Sequence, residues 1–255
     1  MGVVNVTPDS FSDGGVNFRA DDAVAAGRRM IEEGAALVDV GGESTRPGAD
    51  PVSADEELRR VVPVLEGLAG LPVSIDTAKA AVARTAIELG AAMVNDVTAL
   101  RGDPELAGVV ADSEACLCLM HMQGEPRTMQ ADPRYDDVVS EVAAFLEARL
   151  GFAVAAGIAK ERICLDPGIG FGKTVEHNLE LLRRLDAIAA LGRPVLVGFS
   201  RKSTLGRLLG DAEAKTGSTA ASVSASVLAY ERGASILRVH DVREHVEALA
   251  VAAAL

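Results

Sequence analysis

Short apolar runs alternate with longer amphipathic stretches along the whole chain. Strand–helix alternation without hairpin signals predicts a parallel sheet with crossover helices. Eight such units in a chain of 255 residues favour a closed (β/α)₈ TIM barrel over an open doubly wound sheet. The predicted strands are Val3–Val6, Leu37–Val40, Val73–Ile75, Met93–Val97, Ala115–Met120, Ile163–Leu165, Val195–Gly198 and Ile236–Val239.

The stretches between these runs repeat their apolar positions with helical spacing. No linker, low-complexity segment or block of charge divides them, so residues 1–255 are predicted to form a single domain. Examples of the predicted helices are Asp22–Glu33, Ala54–Leu68, Ala78–Leu89, Asp137–Ala156, Glu176–Leu191, Ala220–Arg232 and the last one, Val242–Leu255.

Composition agrees with a buried barrel. Apolar residues make up 49% of the chain, aromatic residues only 3%, and tryptophan is absent. The core must therefore be built from Ala, Val, Leu and Ile, which suit the layered interior of a parallel barrel. The formal charge of −12 argues against general binding of nucleic acids, whose phosphates attract basic surfaces. It leaves room for a small anionic substrate, because a local cluster of cations can reverse the field inside one pocket.

The chain shows no sign of export or of membrane insertion. Its three cysteines, Cys116, Cys118 and Cys164, lie in apolar runs without disulfide or metal-ligand spacing, so we predict three small buried side chains in a cytoplasmic protein. No run of about 20 apolar residues could span a bilayer. Met1 leads almost directly into the first strand, without a secretion signal, and we expect a short leader present in relatives to be missing here.

Nearly every predicted strand ends in polar, often glycine-containing sequence, whereas the turns that lead into the strands are blander. In a parallel barrel the carboxyl ends of the strands meet around one mouth, where active sites are built. We therefore expect the chemistry to lie on that face. The strand ends are 5–9, 39–47, 74–77, 95–97, 121–124, 166–173, 200–203 and 238–241.

Asp76, Asn95 and Asp166 each lie in or just beyond an apolar strand. Each could simply cap the following helix, as Asp and Asn do well. Three such residues facing one mouth together with Lys202 instead favour a site for a planar heterocycle. A 2-amino-4-oxo pyrimidine edge presents adjacent N–H donors, which a carboxylate can accept in a fork.

Arg238 and His240, two residues apart on the last strand, are predicted to face the same side. With Asn5 of the first strand, the neighbour of the last in a closed barrel, they form a candidate anion site. The alternative is a salt-bridged arginine beside a satisfied histidine. Asn5 is also a candidate magnesium ligand, because Mg²⁺ on a pyrophosphate keeps its waters and needs few protein ligands.

The glycine-rich run 168–173 is similar to a phosphate-binding loop, but Pro167 stands where a Walker A motif needs its first glycine. We predict that this run lets backbone approach a ligand, with Phe171 packed against it. The loops 7–15 and 41–48 combine glycine with reactive polar groups and are predicted to be either mobile lids or ordinary exposed turns.

Taken together, these strings resemble the dihydropteroate synthase family over almost the whole chain. The matching strings are long and in the family's order, which makes them more specific than any one motif. They are NVTPDSFSDGG (5–15), GGESTRPG (41–48), DPGIGFGK (166–173), SRKS (200–203) and RVHD (238–241). The chain departs from the family at Thr98-Ala99-Leu100, where Ser-Gly is more usual, and at Phe199, a position that varies.

The resemblance implies a reaction and a role for each site residue. The implied reaction joins 6-hydroxymethyl-7,8-dihydropterin pyrophosphate to p-aminobenzoate, in a homodimer that uses Mg²⁺ and is a target of sulfonamides. Asp76, Asp166 and Lys202 would be catalytic. The pterin pocket would comprise Asp76, Asn95, Val97, Met120, Asp166, Phe171, Gly198 and Lys202. The pyrophosphate site would comprise Asn5, Arg238 and His240, with Asn5 as a ligand of the metal. The p-aminobenzoate site would comprise Phe11, Thr45, Arg46, Pro47, Lys202 and Ser203.

Two other classes of protein remain as alternatives. Methyltetrahydrofolate-dependent methyltransferases share a pterin-binding barrel but need neither the 41–48 loop nor the 200–203 string, and both are present. A non-catalytic pterin sensor or scaffold would be expected to lack Asn5, Asp76, Lys202 or Arg238, and all four are present.

Overall fold

Eight short strands form one parallel sheet in the computed structural model, which describes residues 1–7, 20–45 and 49–255. The sheet order is β1 to β8, so each strand pairs with its neighbour in sequence. The strands are β1 Gly2–Asn5, β2 Val38–Gly41, β3 Val73–Asp76, β4 Met93–Asp96, β5 Cys116–Met120, β6 Ile163–Asp166, β7 Val195–Val197 and β8 Ala234–Leu237.

The sheet closes on itself between its first strand and the residues that follow its last one. Gly2 forms a parallel bridge with Val239. The backbone N–H of Val3 donates to the carbonyl of Val239 at 3.0 Å, and the N–H of Val239 donates to the carbonyl of Met1 at 2.9 Å. Closure leaves no free sheet edge, and the predicted single (β/α)₈ barrel is confirmed.

Helices cover the outside of the barrel. Serine side chains begin two of them: Ser53 accepts the N–H of Glu56 at 3.2 Å, and Ser218 accepts that of Ala221 at 3.2 Å. None of the described helices is long and apolar enough to cross a membrane. The helices are α1 Ala20–Glu32, α2 Ala54–Gly67, α3 Ala80–Glu88, α4 Leu106–Ala111, α5 Val138–Ala155, α6 Val175–Arg183, α7 Leu185–Ala189, α8 Ser203–Leu208, α9 Thr219–Glu231 and α10 Val242–Ala252, with a 3₁₀ turn at Lys160–Arg162.

The strands carry two sets of side chains because successive residues point to opposite faces. One set packs against the helices in the main core. The other forms a small apolar cluster of Met93, Cys118, Cys164 and Leu196 beneath the polar strand ends. Cys118 and Cys164 are buried as predicted, but Cys116 is exposed, so the prediction of three buried thiols is wrong for that residue. Cys116 shares a strand face with Cys118, but it is the first residue of β5 and lies at the exposed end of that strand.

The largest difference from the predicted helices lies between β6 and β7. The stretch predicted as one helix, Glu176–Leu191, is two helices that are separated at Arg184, whose φ is −112° and ψ is 34°. The Arg184 guanidinium binds the carboxylate of Asp137, the residue that caps α5, at 3.0 Å. The periodicity continues across the break, so only the packing against α5 reveals it.

Candidate active site

The carboxyl ends of the strands surround a cavity of about 70 Å³ at one mouth of the barrel. Its lining combines three ionised side-chain types with apolar walls, as small-molecule sites usually do. The lining residues are Thr45, Asp76, Asn95, Val97, Met120, Asp166, Phe171, Gly198, Ser200, Lys202, Arg238 and His240.

All eight residues expected in a pterin pocket line this cavity, together with Arg238, His240 and Thr45. Two other expected site residues do not line it. Asn5 ends β1, where it pairs with Gly41 of β2, and Ser203 is the first residue of α8. Phe11, Arg46 and Pro47 lie outside the described residues.

The capping alternative is wrong for the three strand-end residues. The helices α3, α4 and α6, which follow β3, β4 and β6, have Lys79, Glu105 and Thr174 as their N-caps. Asp76, Asn95 and Asp166 are the pocket-facing residues of their strands and are buried or nearly so. Their polar groups therefore serve the cavity.

Arg238 lies between two carboxylates. Its Nε donates to Asp39 Oδ2 at 2.7 Å, and one Nη donates to Asp76 Oδ2 at 2.8 Å. Burial lowers the pKa of Arg238, but the charges of Asp39 and Asp76 outweigh it, so the net shift is upward. The salt-bridge alternative thus holds for Arg238 in this structure. These two carboxylates hold the guanidinium of Arg238 in the wall of the cavity.

Asp39 also sets the orientation of an amide. Its Oδ2 accepts from Asn95 Nδ2 at 3.0 Å, which leaves Asn95 Oδ1 buried, with no hydrogen-bond partner in the described part of the chain. A buried polar atom without a partner is costly and marks a place where a ligand can bind. Asn95 Oδ1 is therefore an acceptor available to an N–H donor of a ligand in the cavity.

Asp166 and Lys202 supply the other charges of the pocket. Asp166 Oδ1 accepts the backbone N–H of Gly168 at 2.7 Å, and burial raises the pKa of this carboxyl. Burial lowers the pKa of Lys202 to about 8, while the charge of Asp166 opposes the shift. Lys202 Nζ lies 4.5 Å from the centre of the Phe171 ring and donates to the carbonyl of Ile169. The ammonium is thereby held against one wall.

Burial raises the pKa of Asp76 to about 7, although the nearby charge of Arg238 opposes the shift and that of Asp39 adds to it. Asp76 consequently changes protonation near neutral pH, where it can accept or donate a hydrogen bond.

His240 is held by a serine. The hydroxyl of Ser200 lies 3.0 Å from His240 Nδ1 and accepts the backbone N–H of His240 at 3.1 Å. Two contacts to one hydroxyl restrict both the backbone and the ring. Ser200, which follows β7, therefore fixes the orientation of His240 in the cavity wall. An anion-binding histidine needs such a fixed orientation.

A buried ion cluster anchors the loop that carries Thr45. Lys79 Nζ binds Glu43 Oε2 at 2.7 Å and Glu57 Oε2 at 2.5 Å, and Glu57 is fully buried. Glu43 Oε1 accepts the N–H of Val52 at 3.0 Å, which ties the two ends of the loop together. The cluster fixes the base from which Thr45 reaches the cavity.

The sequence analysis did not assign roles to Asp39, Ser200, Glu43 or Lys79. Asp39 carried a signal, because a carboxylate in the middle of an apolar strand needs a buried partner. The others carried none, since their partners lie 22 to 40 residues away in sequence.

Comparison with known proteins agrees with this geometry. The family model described as pterin binding enzyme matches residues 1–240. A dihydropteroate synthase of Neisseria meningitidis serogroup B is 48% identical over 262 residues, covering 100% of this chain and 92% of its own. The dihydropteroate synthase of Xanthomonas albilineans, solved with 4-aminobenzoic acid, superposes with a TM-score of 0.91 at 51% identity, covering 99% of this chain and 91% of its own.

The same X. albilineans enzyme solved in complex with 7,8-dihydropteroate superposes with a TM-score of 0.86 at 48% identity, covering 99% of this chain and 91% of its own. The barrel and its polar mouth fit a pterin-binding enzyme, which is the class that the matching family model describes. The chain belongs to that family and, within it, to the dihydropteroate synthases.

Proposed function

We propose that this enzyme condenses 6-hydroxymethyl-7,8-dihydropterin pyrophosphate with p-aminobenzoate to give 7,8-dihydropteroate and pyrophosphate, a step of folate biosynthesis. The observation that carries the proposal is the buried acceptor Asn95 Oδ1, which lines a cavity shared with Asp76, Asp166 and Lys202. Such a set matches the alternating donors and acceptors of a pterin edge.

We assign the pterin ring to the deep part of the cavity. Asn95 and Asp166 would accept its N–H donors, and Lys202 would donate to its ring oxygen and nitrogen. Val97, Met120 and Phe171 provide apolar walls for the planar ring. Gly198 has no side chain and so leaves space for the ring in this part of the cavity. A Cβ at this position would lie 3.8 Å from Arg238.

The chemistry needs charge placement more than a strong base. The bond between the hydroxymethyl carbon and pyrophosphate breaks, and its electron pair leaves with the pyrophosphate. The resulting cation is delocalised into the dihydropterin ring, where Asp76 and Asp166 supply negative charge. The amine lone pair of p-aminobenzoate then forms the new C–N bond, and the nitrogen releases a proton to solvent. No covalent enzyme intermediate is expected.

Arg238 and His240 are assigned to the departing pyrophosphate. Arg238 offers a planar guanidinium, and both it and His240 line the cavity. For the guanidinium to bind phosphate oxygens, the anion must compete with Asp39 and Asp76. We therefore expect the pyrophosphate to use the face of Arg238 that those carboxylates leave open.

Magnesium is proposed as the cofactor, with Asn5 as a protein ligand. Among the described residues, no group of three or more His, Cys, Asp or Glu side chains could hold a metal by itself. Mg²⁺ bound mainly through pyrophosphate oxygens and water would need only one amide oxygen from the protein. When bound, the ion neutralises charge on the leaving group.

p-Aminobenzoate is assigned to the outer part of the mouth, near Thr45 and Lys202. Ser203, at the N-terminus of α8, and Phe11, Arg46 and Pro47 are proposed to complete this site. The support is the family resemblance and the position of the Thr45 loop, whose base the Lys79 cluster anchors.

We also propose a cytoplasmic homodimer. α9 and α10 expose Leu228, Tyr230, Val246 and Val251, which a second copy would cover. The free thiols of the three cysteines are consistent with a reducing compartment. Light scattering of the purified enzyme would test the dimer, and Val251→Lys would be expected to weaken it.

The decisive assay measures pyrophosphate release with purified enzyme, Mg²⁺ and the dihydropterin pyrophosphate, with and without p-aminobenzoate. Release coupled to dihydropteroate formation, and its loss in Lys202→Ala, supports the proposal. Pterin binding without turnover would instead favour the methyltransferase or sensor alternatives.

A further inference from the structure

Lys173 is a buried cation that the proposed reaction does not use. Its side chain is 3% exposed, and within the described ranges no carboxylate lies within salt-bridge distance of its ammonium. Its Nζ instead contacts His121 Nδ1 at 2.9 Å and donates to the carbonyls of Gly168 and Phe171, each at 3.0 Å. A buried ammonium is costly unless its N–H groups are satisfied, so these three acceptors explain why it is tolerated.

The loop 168–172 is shaped by side-chain donors. Each of its five carbonyls accepts a hydrogen bond from a side chain, which is unusual because loop carbonyls commonly face water. Lys173 serves two of them, more than any other donor. The pairs are Lys173 with Gly168 and Phe171, Lys202 with Ile169, Gln130 with Gly170, and Tyr135 with Gly172 at 2.8 Å.

The same loop lies directly on the end of β5. A Cβ added to Gly168 would be 1.8 Å from the carbonyl oxygen of His121, and one added to Gly172 would be 2.4 Å from that of Gln123. At these two positions the glycines allow one backbone segment to approach another. Lys173 joins both segments, because it contacts His121 and the loop together.

This loop carries two parts of the pterin pocket. Phe171 is one of its walls, and the carbonyl of Ile169 holds the ammonium of Lys202 beside that ring. The orientation of the Gly168 and Phe171 carbonyls fixes the 168–169 and 171–172 peptide units, which flank Ile169, Gly170 and Phe171. Any donor that sets those two carbonyls therefore sets the positions of Phe171 and Lys202.

We infer that Lys173 is a positioning residue for the pterin site: by binding the Gly168 and Phe171 carbonyls against His121, it holds Phe171 and Lys202 where the ring binds. This inference rests on the proposed function, since it names the pterin ring as the ligand. Lys173 does not touch the substrate and acts through the loop.

Electrostatics agree with this arrangement. Burial lowers the pKa of His121 to about 3, so its ring is neutral and can accept from Lys173 at Nδ1. Burial also lowers the pKa of Lys173 to about 7; the charge of Lys202 adds to this shift and that of Asp166 opposes it. As the pH rises through 7, Lys173 loses one of its three N–H donors, and the loop loses part of its support.

The test compares Lys173→Met and Lys173→Gln with wild type and with Lys215→Met, an exposed lysine, as the matched control. Titration calorimetry measures binding of the dihydropterin pyrophosphate without p-aminobenzoate, so turnover is not required. Hydrogen exchange followed by mass spectrometry reports on the peptides that contain Gly168, Gly170 and Phe171. Urea unfolding reports global stability.

We expect Lys173→Met to weaken pterin binding about 10- to 100-fold, the loss typical of a displacement of roughly 1 Å, and to speed exchange in the loop. Lys173→Gln, which can satisfy one carbonyl, should fall between it and wild type. Lower stability with unchanged affinity of the folded protein, or affinity within twofold of wild type, would overturn the inference.

If Lys173→Met does not fold, Tyr135→Phe provides a second arm, because it removes one donor to the same loop from a half-buried side chain. It should speed exchange at the loop and weaken binding by less than Lys173→Gln. Unchanged exchange and affinity in both Tyr135→Phe and Lys173→Gln would refute the positioning role. Failure of wild type to bind the pterin would reject the proposed function instead, and the exchange arm would still test the loop.

Discussion

Gly168 is the position at which one methyl group is expected to do most damage to the pterin site. Its φ is +68°, a left-handed conformation that costs an L-residue roughly 1–2 kcal/mol. The added Cβ would also lie 1.8 Å from the carbonyl oxygen of His121, whereas real Cβ atoms essentially never come within 3.0 Å of such an atom. The two nearest atoms, the carbonyl oxygen and carbon of His121, belong to the backbone, so neither can rotate away from the added methyl group.

A matched control separates the conformational and steric contributions to the stability that Gly168→Ala is expected to lose. Gly192 has nearly the same φ, +73°, but a Cβ there would meet nothing within 4 Å. Gly192→Ala should therefore show the conformational cost alone, roughly 1–2 kcal/mol. Gly168→Ala adds forced separation of two packed segments, typically about 1–3 kcal/mol, for a total of about 2–5 kcal/mol.

Activity should separate the two variants further. Moving the loop away from β5 displaces Phe171 and the carbonyl that holds Lys202, and a shift of roughly 1 Å can cost about 100-fold in rate. Urea unfolding and kcat/KM for the dihydropterin pyrophosphate are the two measurements. Equal stability losses in Gly168→Ala and Gly192→Ala, or full activity in Gly168→Ala, would refute the reasoning.

Two further variants test the charges around the cavity. Asp39→Asn removes a negative charge that raises the pKa of Asp76, so that pKa should fall below about 7 and the acidic limb of the pH–kcat/KM profile, if Asp76 must be ionised, should move to lower pH. An unmoved or higher limb would contradict this. Lys79→Met leaves two carboxylates facing each other at the base of the Thr45 loop, and we expect the KM for p-aminobenzoate to rise about tenfold while pterin affinity changes little. Arg59→Met, which removes an exposed ion pair from α2, is its control, and equal KM values in the two variants would count against the loop's role.

The pKa of Asp76 also has a consequence for stability. Its carboxyl binds a proton more tightly in the folded state, with a pKa of about 7, than in the unfolded chain, whose value is near 3.8. Folding is therefore favoured by this group below pH 3.8, and that contribution is lost as the pH rises through 7. Asp39→Asn should narrow this pH range because it lowers the folded-state pKa.

Local pattern was sufficient for most of the barrel. The strands, of three to five residues, were marked by short apolar runs, and β1, β3, β4 and β6 end in Asn or Asp, because a carboxylate or amide is tolerated where the barrel opens. Asp76, Asn95 and Asp166 could be predicted for the same reason, because they lie at the ends of their own strands. The pocket walls Val97, Met120, Phe171 and Gly198 were assigned only through the family resemblance.

Pairings across the barrel could not be predicted, because they join residues that are far apart in the chain. Arg238 meets Asp39 across 199 residues and Asp76 across 162, a contact that exists only once β8 closes on β1. The break at Arg184 likewise depends on α5, whose capping residue Asp137 binds that arginine.

The glycine-rich run 168–173 shows both what local sequence predicts and what tertiary structure decides. Its composition predicted close backbone approach, but only the folded chain decided that Gly168 and Gly172 approach β5 and that Lys173 turns inward to bind their loop. The sequence by itself determined, through alternation along each strand, that Asn95 and Asp166 face the mouth. Tertiary structure decided which charges neutralise one another there, because electrostatic partners are chosen by distance in space.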